Sequence, residues 1–114
     1  MIPPTAVVMA PVDVASAVAT AVLAHADVAR LDDGSVGEIA TYGGGTRVGG
    51  VRIRADRPPR VAVYFVPRYG RPLSEIAADV RALVEAALDR SDADFADAAI
   101  DVHMTDLETR QGGE

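Results

Sequence analysis

Histidine, serine and acidic side chains are the groups in this sequence that could perform acid–base or nucleophilic chemistry. The two histidines are His25 and His103, and His103 lies two residues after Asp101. Together with Ser74, this pair would supply the residue types of a Ser-His-Asp triad, but no G-x-S-x-G nucleophile elbow surrounds the serine. The sequence therefore predicts no catalytic residue.

Metal and thiol chemistry lack their usual residue patterns. The chain contains no cysteine, which excludes a disulfide, a thiol nucleophile and a cysteine zinc site. The histidines show neither the H-x-H nor the H-x-x-x-H spacing that helps two imidazoles reach one metal. The acidic pair Asp32-Asp33 precedes Gly34-Ser35 and is typical of a turn. We predict no metal site and no cofactor.

The glycines Gly43-Gly44-Gly45 and Gly49-Gly50 suggest a loop that could bind phosphate. The spacing does not match G-x-G-x-x-G, because position 48 is valine, and the chain contains no lysine for a Walker motif. We interpret these glycines instead as a flexible link, followed by a bulge or bend where the next strand begins.

Arginine is the residue type whose placement suggests a binding function. The segment Arg47 to Arg71 carries seven arginines and one acid, Asp56, whereas the rest of the chain carries four arginines and sixteen acids. One interpretation is that these arginines pair with the domain's own acids on a solvated face. The other is a docking surface for an acidic partner, lipid head groups or RNA. We predict that Arg52, Arg54 and Arg68 are the contact residues of such a surface.

These arginines belong to a predicted β-hairpin, in which the runs Val48 to Ala55 and Arg60 to Val66 flank the charged turn Asp56 to Pro59. The first run alternates apolar residues with arginines, which is the period of a strand with one buried face. The second run has apolar residues on both faces, which favours a more buried strand. Pro67 has no N–H group and is expected to end this strand.

Helices are expected on both sides of the hairpin. Asp13 is the expected N-cap of a first helix that runs to about His25. A second helix is predicted from apolar residues spaced i, i+4, i+7 and i+8 from Ile76, with Ser74 or Pro72 near its cap.

Two further strands complete the predicted elements. A weak strand is predicted from Val36 to Tyr42. After the second helix, Ile100, Val102 and Met104 alternate with polar residues, which predicts a half-buried strand.

These elements predict an α+β fold, a two-layer sandwich with both helices on one face of a three- or four-stranded, mostly antiparallel sheet, in the order α-(β)-β-β-α-β. A length of 114 residues suits one domain, which we place at residues 13–108 between flexible tails 1–12 and 109–114. No secretory signal is predicted, because no basic residue precedes Arg30 and Asp13 interrupts the apolar run. No transmembrane segment is predicted, because the apolar residues from Val14 to Ala26 are too few and are mainly alanine.

Four segments follow one another along the chain: VLAHADVARLDDGSVGEIA, GVRIRADRPPRVAVYFVPRYG, SEIAADVRALVEAAL and AAIDVHMTDLE. In this order they resemble the opening, the central hairpin, the helix and the closing strand of the bacterial alkaline shock protein family, which comprises envelope stress response proteins. Together they span about Val14 to Leu107. Asp27 stands where the family usually has glycine, and Arg68 stands where it usually has an acidic residue before Tyr69-Gly70.

The resemblance implies a non-enzymatic cytoplasmic protein that is a scaffold or interaction module, peripheral at the inner face of the cell membrane. It also implies a homo-oligomer, and as partners a small membrane-anchor protein or a paralogous member of the family. An alternative is a small RNA-binding module that uses the Arg-rich hairpin. The formal net charge of −6, the lack of a G-x-x-G clamp and the few aromatic residues oppose nucleic-acid binding. A third class is a small enzyme or ligand-binding domain with its site at an oligomer interface.

Overall fold

The structure, a computed structural model, describes residues 9–55, 57–91 and 93–105. Within these ranges the chain forms two α-helices and six strands, and the predicted α+β class is confirmed. The elements are α1 (Pro11–Leu23), β1 (Val28–Leu31), β2 (Ala40–Gly43), β3 (Thr46–Gly49), β4 (Val51–Arg54), β5 (Arg60–Pro67), α2 (Leu73–Ser91), a 3-10 turn (Ala93–Phe95) and β6 (Ala99–Met104).

Strand β5 lies at the centre of a four-stranded, mostly antiparallel sheet. Strand β6 runs parallel to it, with Arg60 opposite Ala99 and Phe65 opposite Met104. Strand β4 runs antiparallel to residues 60–63 of β5, which is the predicted hairpin. The predicted first run from Val48 is divided, however, because Val48 belongs to β3 and β4 begins only at Val51, after Gly50. Strand β1, which was not predicted, runs antiparallel to residues 65–67.

Strands β1 and β4 lie end to end along the same edge of β5. The Tyr64 N–H donates to the Gly50 carbonyl at 2.8 Å, and the Tyr64 carbonyl accepts from the Asp32 N–H at 2.8 Å. In an antiparallel strand the N–H and C=O groups of one residue point to the same side. The chain therefore leaves this edge after Asp32 and returns to it at Gly50.

Between these two points, β2 and β3 form a separate two-stranded hairpin. Its turn is Gly44-Gly45, with φ angles of +55° and +81°, as a two-residue type I′ turn requires. The interpretation of these glycines as a flexible link is therefore wrong. The predicted strand from Val36 is also shorter than expected, because β2 begins at Ala40.

Thr41 of β2 holds this hairpin against the outer edge of β4. Its hydroxyl donates to the Val51 carbonyl at 2.7 Å and accepts from the Ile53 N–H at 3.2 Å. The side chain thus satisfies two backbone groups that an edge strand would otherwise leave to solvent or to another chain.

The core lies between the helices and one face of the sheet. Aliphatic side chains dominate it because the sequence has few aromatic residues. The buried residues alternate along β5 and recur at helical spacing in α1 and α2. They include Val14, Val18, Val22, Val61, Val63, Phe65, Ile76, Val80 and Val84.

The helix boundaries differ from the prediction at the start of α1. The helix begins at Pro11 with Ala10 as its N-cap and no side-chain cap, because proline is well suited to the first helical position. Asp13 lies in the first turn, so its prediction as the N-cap is wrong. In α2 the Pro72 carbonyl accepts the N–H groups of Glu75 and Ile76, which makes Pro72 rather than Ser74 the capping residue.

The predicted tails lie largely outside the described residues, as does Asp56 in the predicted turn. Residues 11 and 12, which were assigned to the first tail, belong to α1.

Among the residues that the structure describes, no helix is long and apolar enough to cross a membrane.

Candidate partner-binding surface

The sheet face opposite the helices carries a shallow groove lined by charged and aromatic side chains. Its volume is about 160 Å³. Because successive side chains of a strand point to opposite faces, the residues that alternate with the core residues of β4, β5 and β6 come together here. We call this surface the arginine face; its residues are Arg52, Arg54, Arg60, Ala62, Tyr64, Asp101 and His103.

Two arginines lie directly opposite each other at one end of this face. Arg54 on β4 is the register partner of Arg60 on β5. Like charges in such a pair destabilise a sheet, by roughly 0.2–1 kcal/mol. Arg60 also donates to the Asp101 carboxylate at 3.0 Å. Positive charge is therefore concentrated beside the hairpin turn.

Within the described part of the chain, no carboxylate pairs with Arg52. Its guanidinium donates to the Glu38 backbone carbonyl at 3.1 Å and lies 6.0 Å from the centroid of the Tyr64 ring. A carbonyl or an aromatic ring orients a guanidinium but does not neutralise it. Arg52 is thus held in a fixed position on the face and remains able to bind an anion.

The aromatic pair at the other end of the face is stacked. The rings of Tyr64 and His103 are register partners on β5 and β6, with centroids 4.4 Å apart and planes 8° from parallel. Arg52 reaches the Tyr64 ring from β4, on the side away from His103. His103 therefore covers one face of the Tyr64 ring, and Arg52 lies near the ring from the side of β4.

Arg68 lies apart from the other two predicted contact residues. It is six residues beyond Ala62, the partner of Arg52, which corresponds to about 20 Å along a strand. The side-chain Nε of Arg68 donates to the Ala26 carbonyl at 3.1 Å, and the backbone N–H of Arg68 donates to the Asp27 carbonyl at 2.8 Å. The structure brings Arg52 and Arg54 together with Arg60, and not with Arg68.

His25 belongs to a separate polar cluster between the end of α1 and α2. Its Nδ1 accepts from the Asp27 N–H at 3.0 Å, so the proton of the neutral ring is on Nε2, which donates to Asp79 at 2.9 Å. Both nitrogens are engaged, which leaves no lone pair for proton abstraction or for a metal. We interpret His25 as a structural residue.

Arg71 joins the acids of this cluster. It donates to Asp27 at 2.9 Å, to Asp79 at 3.0 Å and to Glu75 at 3.1 Å. These hydrogen bonds raise the pKa of the Arg71 guanidinium, and the bond to Asp27 contributes most. Hydrogen bonds from His25 and then Arg71 lower the pKa of the Asp79 carboxyl.

The pairing of arginines with the domain's own acids is therefore observed for part of the basic segment. Arg47 donates to Asp33 at 2.8 Å, and Arg60 and Arg71 have the carboxylate partners given above. Arg52 and Arg68 bind backbone carbonyls instead.

The residue types considered for chemistry do not assemble. Ser74 lies at the start of α2 on the helical layer, whereas His103 stacks on Tyr64 on the opposite face of the sheet. Across residues 9–55, 57–91 and 93–105, no group of three or more His, Cys, Asp or Glu side chains is placed to hold a metal ion.

Gly50 has a structural role of its own. A Cβ atom there would lie 2.6 Å from the Leu31 Cβ, and its φ angle is +83°. Glycine is therefore required where the two strands meet.

Sequence analysis missed Arg60, Tyr64, Asp101 and His103 as members of the face. Arg60 and Tyr64 share the alternation of β5, so their common face could have been inferred from the strand period. Asp101 and His103 lie on the arginine face because β6 pairs in parallel with β5 after the chain has passed through α2. No local sequence pattern indicates a pairing of this kind.

Comparison of the chain with protein-family models, with curated proteins and with solved structures found no match.

Proposed function

We propose that this chain is a non-enzymatic envelope stress response protein that acts as a scaffold or interaction module at the inner face of the cell membrane. The resemblance of four segments to the alkaline shock protein family supports the class. The observation that carries the proposal is the arginine face, where Arg52, Arg54 and Arg60 are grouped on an open sheet surface of a protein with a net charge of −6.

The electrostatics of the face support docking rather than catalysis. Of the described residues, three arginines and one acid, Asp101, line the groove, and an acidic protein that carries such a patch attracts acidic surfaces of its partners. The histidines support the same role, because His25 has both nitrogens engaged and His103 is stacked on Tyr64.

The two departures from the family pattern lie at one corner of the molecule. The Asp27 carboxylate accepts from Arg71, and Arg68 donates to the carbonyls of Ala26 and Asp27. Each of the two departures thus makes a contact within the domain. This supports the family fold with a different set of surface contacts at this corner. The proposed partners are further copies of the chain, a small membrane-anchor protein or a paralogous member.

The test is affinity capture from cells that express the protein, combined with membrane fractionation. We expect the wild-type chain to sediment partly with membranes and to capture a membrane protein. The Arg52→Glu, Arg54→Glu variant should lose this capture because it reverses two charges of the face. The control Arg81→Glu, Arg90→Glu changes the same charge on exposed residues of α2 and should retain it.

Two outcomes would count against the proposal. Undiminished capture by the Arg52→Glu, Arg54→Glu variant would mean that the arginine face is only solvated. Wholly soluble, monomeric behaviour in cells that contain the anchor protein would contradict the scaffold itself.

A second candidate function is RNA binding through the same face. Stacked aromatic rings beside arginines on an open sheet are the arrangement that base-stacking modules use, and the Tyr64–His103 pair provides one. One face of the Tyr64 ring is covered by His103, however, so the exposed His103 ring is the better placed of the two to accept a base. Retention on single-stranded RNA at low salt, lost in the Arg52→Glu, Arg54→Glu variant, would support this function.

A further inference from the structure

Among the residues that the structure describes, Asp101 is the one acid that lines the arginine face. Its carboxylate accepts from Arg60 at 3.0 Å, and the two side chains are 41% and 51% exposed. Ion pairs of this exposure contribute little and exchange readily with other partners. A carboxylate from another molecule could therefore take the place of Asp101 at Arg60.

The spacing of the arginines fits an extended chain. Arg52 and Arg54 are alternate residues of β4, so they are separated by about 6.6–6.8 Å along the strand. Alternate side chains of an extended peptide have the same separation. Guanidinium groups bind carboxylates through paired N–H donors, so acidic residues at every second position would match this row.

The shape of the surface also favours a peptide. A groove of about 160 Å³ is smaller than the roughly 300–1,000 Å³ of pockets that enclose small molecules. His103 already occupies one face of the Tyr64 ring, which leaves less aromatic surface for a nucleobase. Side chains of an extended segment, in contrast, can contact a shallow surface that spreads over three strands.

We infer that the arginine face binds an extended, carboxylate-rich segment of a partner protein, and that Asp101 is an intrachain competitor that occupies Arg60 until a partner carboxylate replaces it. This inference rests on the proposed function and names the chemistry of the partner. The row of guanidinium groups formed by Arg52 and Arg54 contacts the segment, and Arg60 joins the contact when Asp101 is displaced.

The test measures binding of a fluorescent peptide of about twelve residues in which Glu and Thr alternate, a length that exceeds the face. Fluorescence anisotropy at low ionic strength, where surface charges are weakly screened, gives the dissociation constant. A peptide with Gln in place of Glu and a single-stranded oligouridylate of equal charge serve as comparison probes.

Neutralising the competitor should strengthen binding. We expect Asp101→Asn to lower the dissociation constant by about 2- to 5-fold. The matched variant Asp89→Asn makes the same charge change on the exposed side of α2 and should leave the dissociation constant unchanged. This gain cannot be produced by a misfolded chain, and thermal denaturation verifies that both variants are folded.

Neutralising the direct contacts should weaken binding. We expect Arg52→Gln and Arg54→Gln each to raise the dissociation constant by about 3- to 10-fold relative to Arg90→Gln, which removes one charge at the exposed end of α2. The Gln peptide should bind none of the variants measurably.

The inference is overturned if Asp101→Asn binds the Glu peptide no better than Asp89→Asn does, or if the oligouridylate binds more tightly than the Glu peptide. Either result is distinguishable from failure of the proposed function. If capture of a membrane partner still depends on Arg52 and Arg54, only the peptide chemistry is wrong. If capture is independent of both arginines, the docking face itself is wrong.

Discussion

Replacing Thr41 by valine should show how strongly the β2–β3 hairpin is held to the main sheet. Valine has nearly the shape of threonine but no hydroxyl, so the change removes both hydrogen bonds to β4 without opening a cavity. Val51 is fully buried, and its carbonyl would lose a partner at a cost of about 1–3 kcal/mol. The Ile53 amide is half-buried, and the loss of its hydrogen bond to the Thr41 hydroxyl adds about 0.5–1.5 kcal/mol.

The expected destabilisation is therefore about 1.5–4.5 kcal/mol, a large share of the roughly 5–15 kcal/mol that stabilises a domain. Urea denaturation followed by circular dichroism measures it, and the melting temperature should fall by about 4–8 °C for each kcal/mol. Hydrogen exchange of the Ile53 amide should accelerate because its acceptor is removed.

Thr41→Ser is the matched control, because it keeps the hydroxyl and loses only a methyl group. It should retain most of the stability. The reasoning would be refuted if Thr41→Val unfolded within about 0.5 kcal/mol of the wild type, or if the serine variant were as unstable as the valine variant.

Three other outcomes follow from the structure. Gly50→Ala should destabilise the fold by about 2–4 kcal/mol, because its Cβ would lie 2.6 Å from that of Leu31 at a φ of +83°; wild-type stability in urea would contradict this. Gly44→Asn should be neutral or stabilising by up to about 1 kcal/mol, because the φ of +55° suits asparagine and no atom lies within 4 Å of the added Cβ; a marked loss would exclude a type I′ turn. The Asp79 pKa is lowered from 3.8, so its contribution to stability is present above pH 3.8 and is lost as the pH falls through the lower folded value. The difference in unfolding free energy between wild type and Asp79→Asn should therefore shrink on acidification below pH 3.8; a difference independent of pH would contradict the pairing. Asp32, whose pKa the Thr105 hydroxyl lowers, titrates in the same window in both proteins and cancels in this comparison.

The elements with a long, regular pattern were predictable from the sequence. Alternation identified the β4–β5 hairpin and β6, and helical spacing identified α2, because each pattern reflects burial of one face. Strand β1 has four residues and exists through its pairing with the end of β5. Tertiary pairing of this kind has no local signature, and the segment after α1 was therefore missed.

The glycine segment illustrates a different kind of error. A Gly-Gly pair between two short strands is a known signal for a type I′ hairpin, and Gly44-Gly45 adopts it. The sequence contains such a pair, but three consecutive glycines, Gly43 to Gly45, do not show which two residues form the turn. A flexible link and a tight turn have similar composition and differ only in the pairing of the residues on either side.

The candidate site was predictable only where it lies on one strand. The shared orientation of Arg52 and Arg54 follows from the period of β4 alone. Arg68 was grouped with them because it belongs to the same basic segment, yet the length of β5 separates them. Asp101 and His103 join the face because α2 returns the chain parallel to β5, and the direction of such a crossover is set by packing of the whole domain.

The end-to-end arrangement of β1 and β4 has a consequence for how this fold can vary. Opposite Tyr64, Asp32 supplies the N–H group and Gly50 supplies the C=O group, so two residues share one ladder position that a single residue would fill in an uninterrupted strand. The intervening residues 33–49 are thus a cassette inserted at one point of an otherwise continuous strand. Because β1 and β4 each pair with β5, an insertion at the Gly44-Gly45 turn of this cassette would leave their register unchanged and would keep the Thr41 bonds to β4. The domain accordingly provides a natural place for inserting a reporter or a foreign loop on the edge of the sheet beside β4.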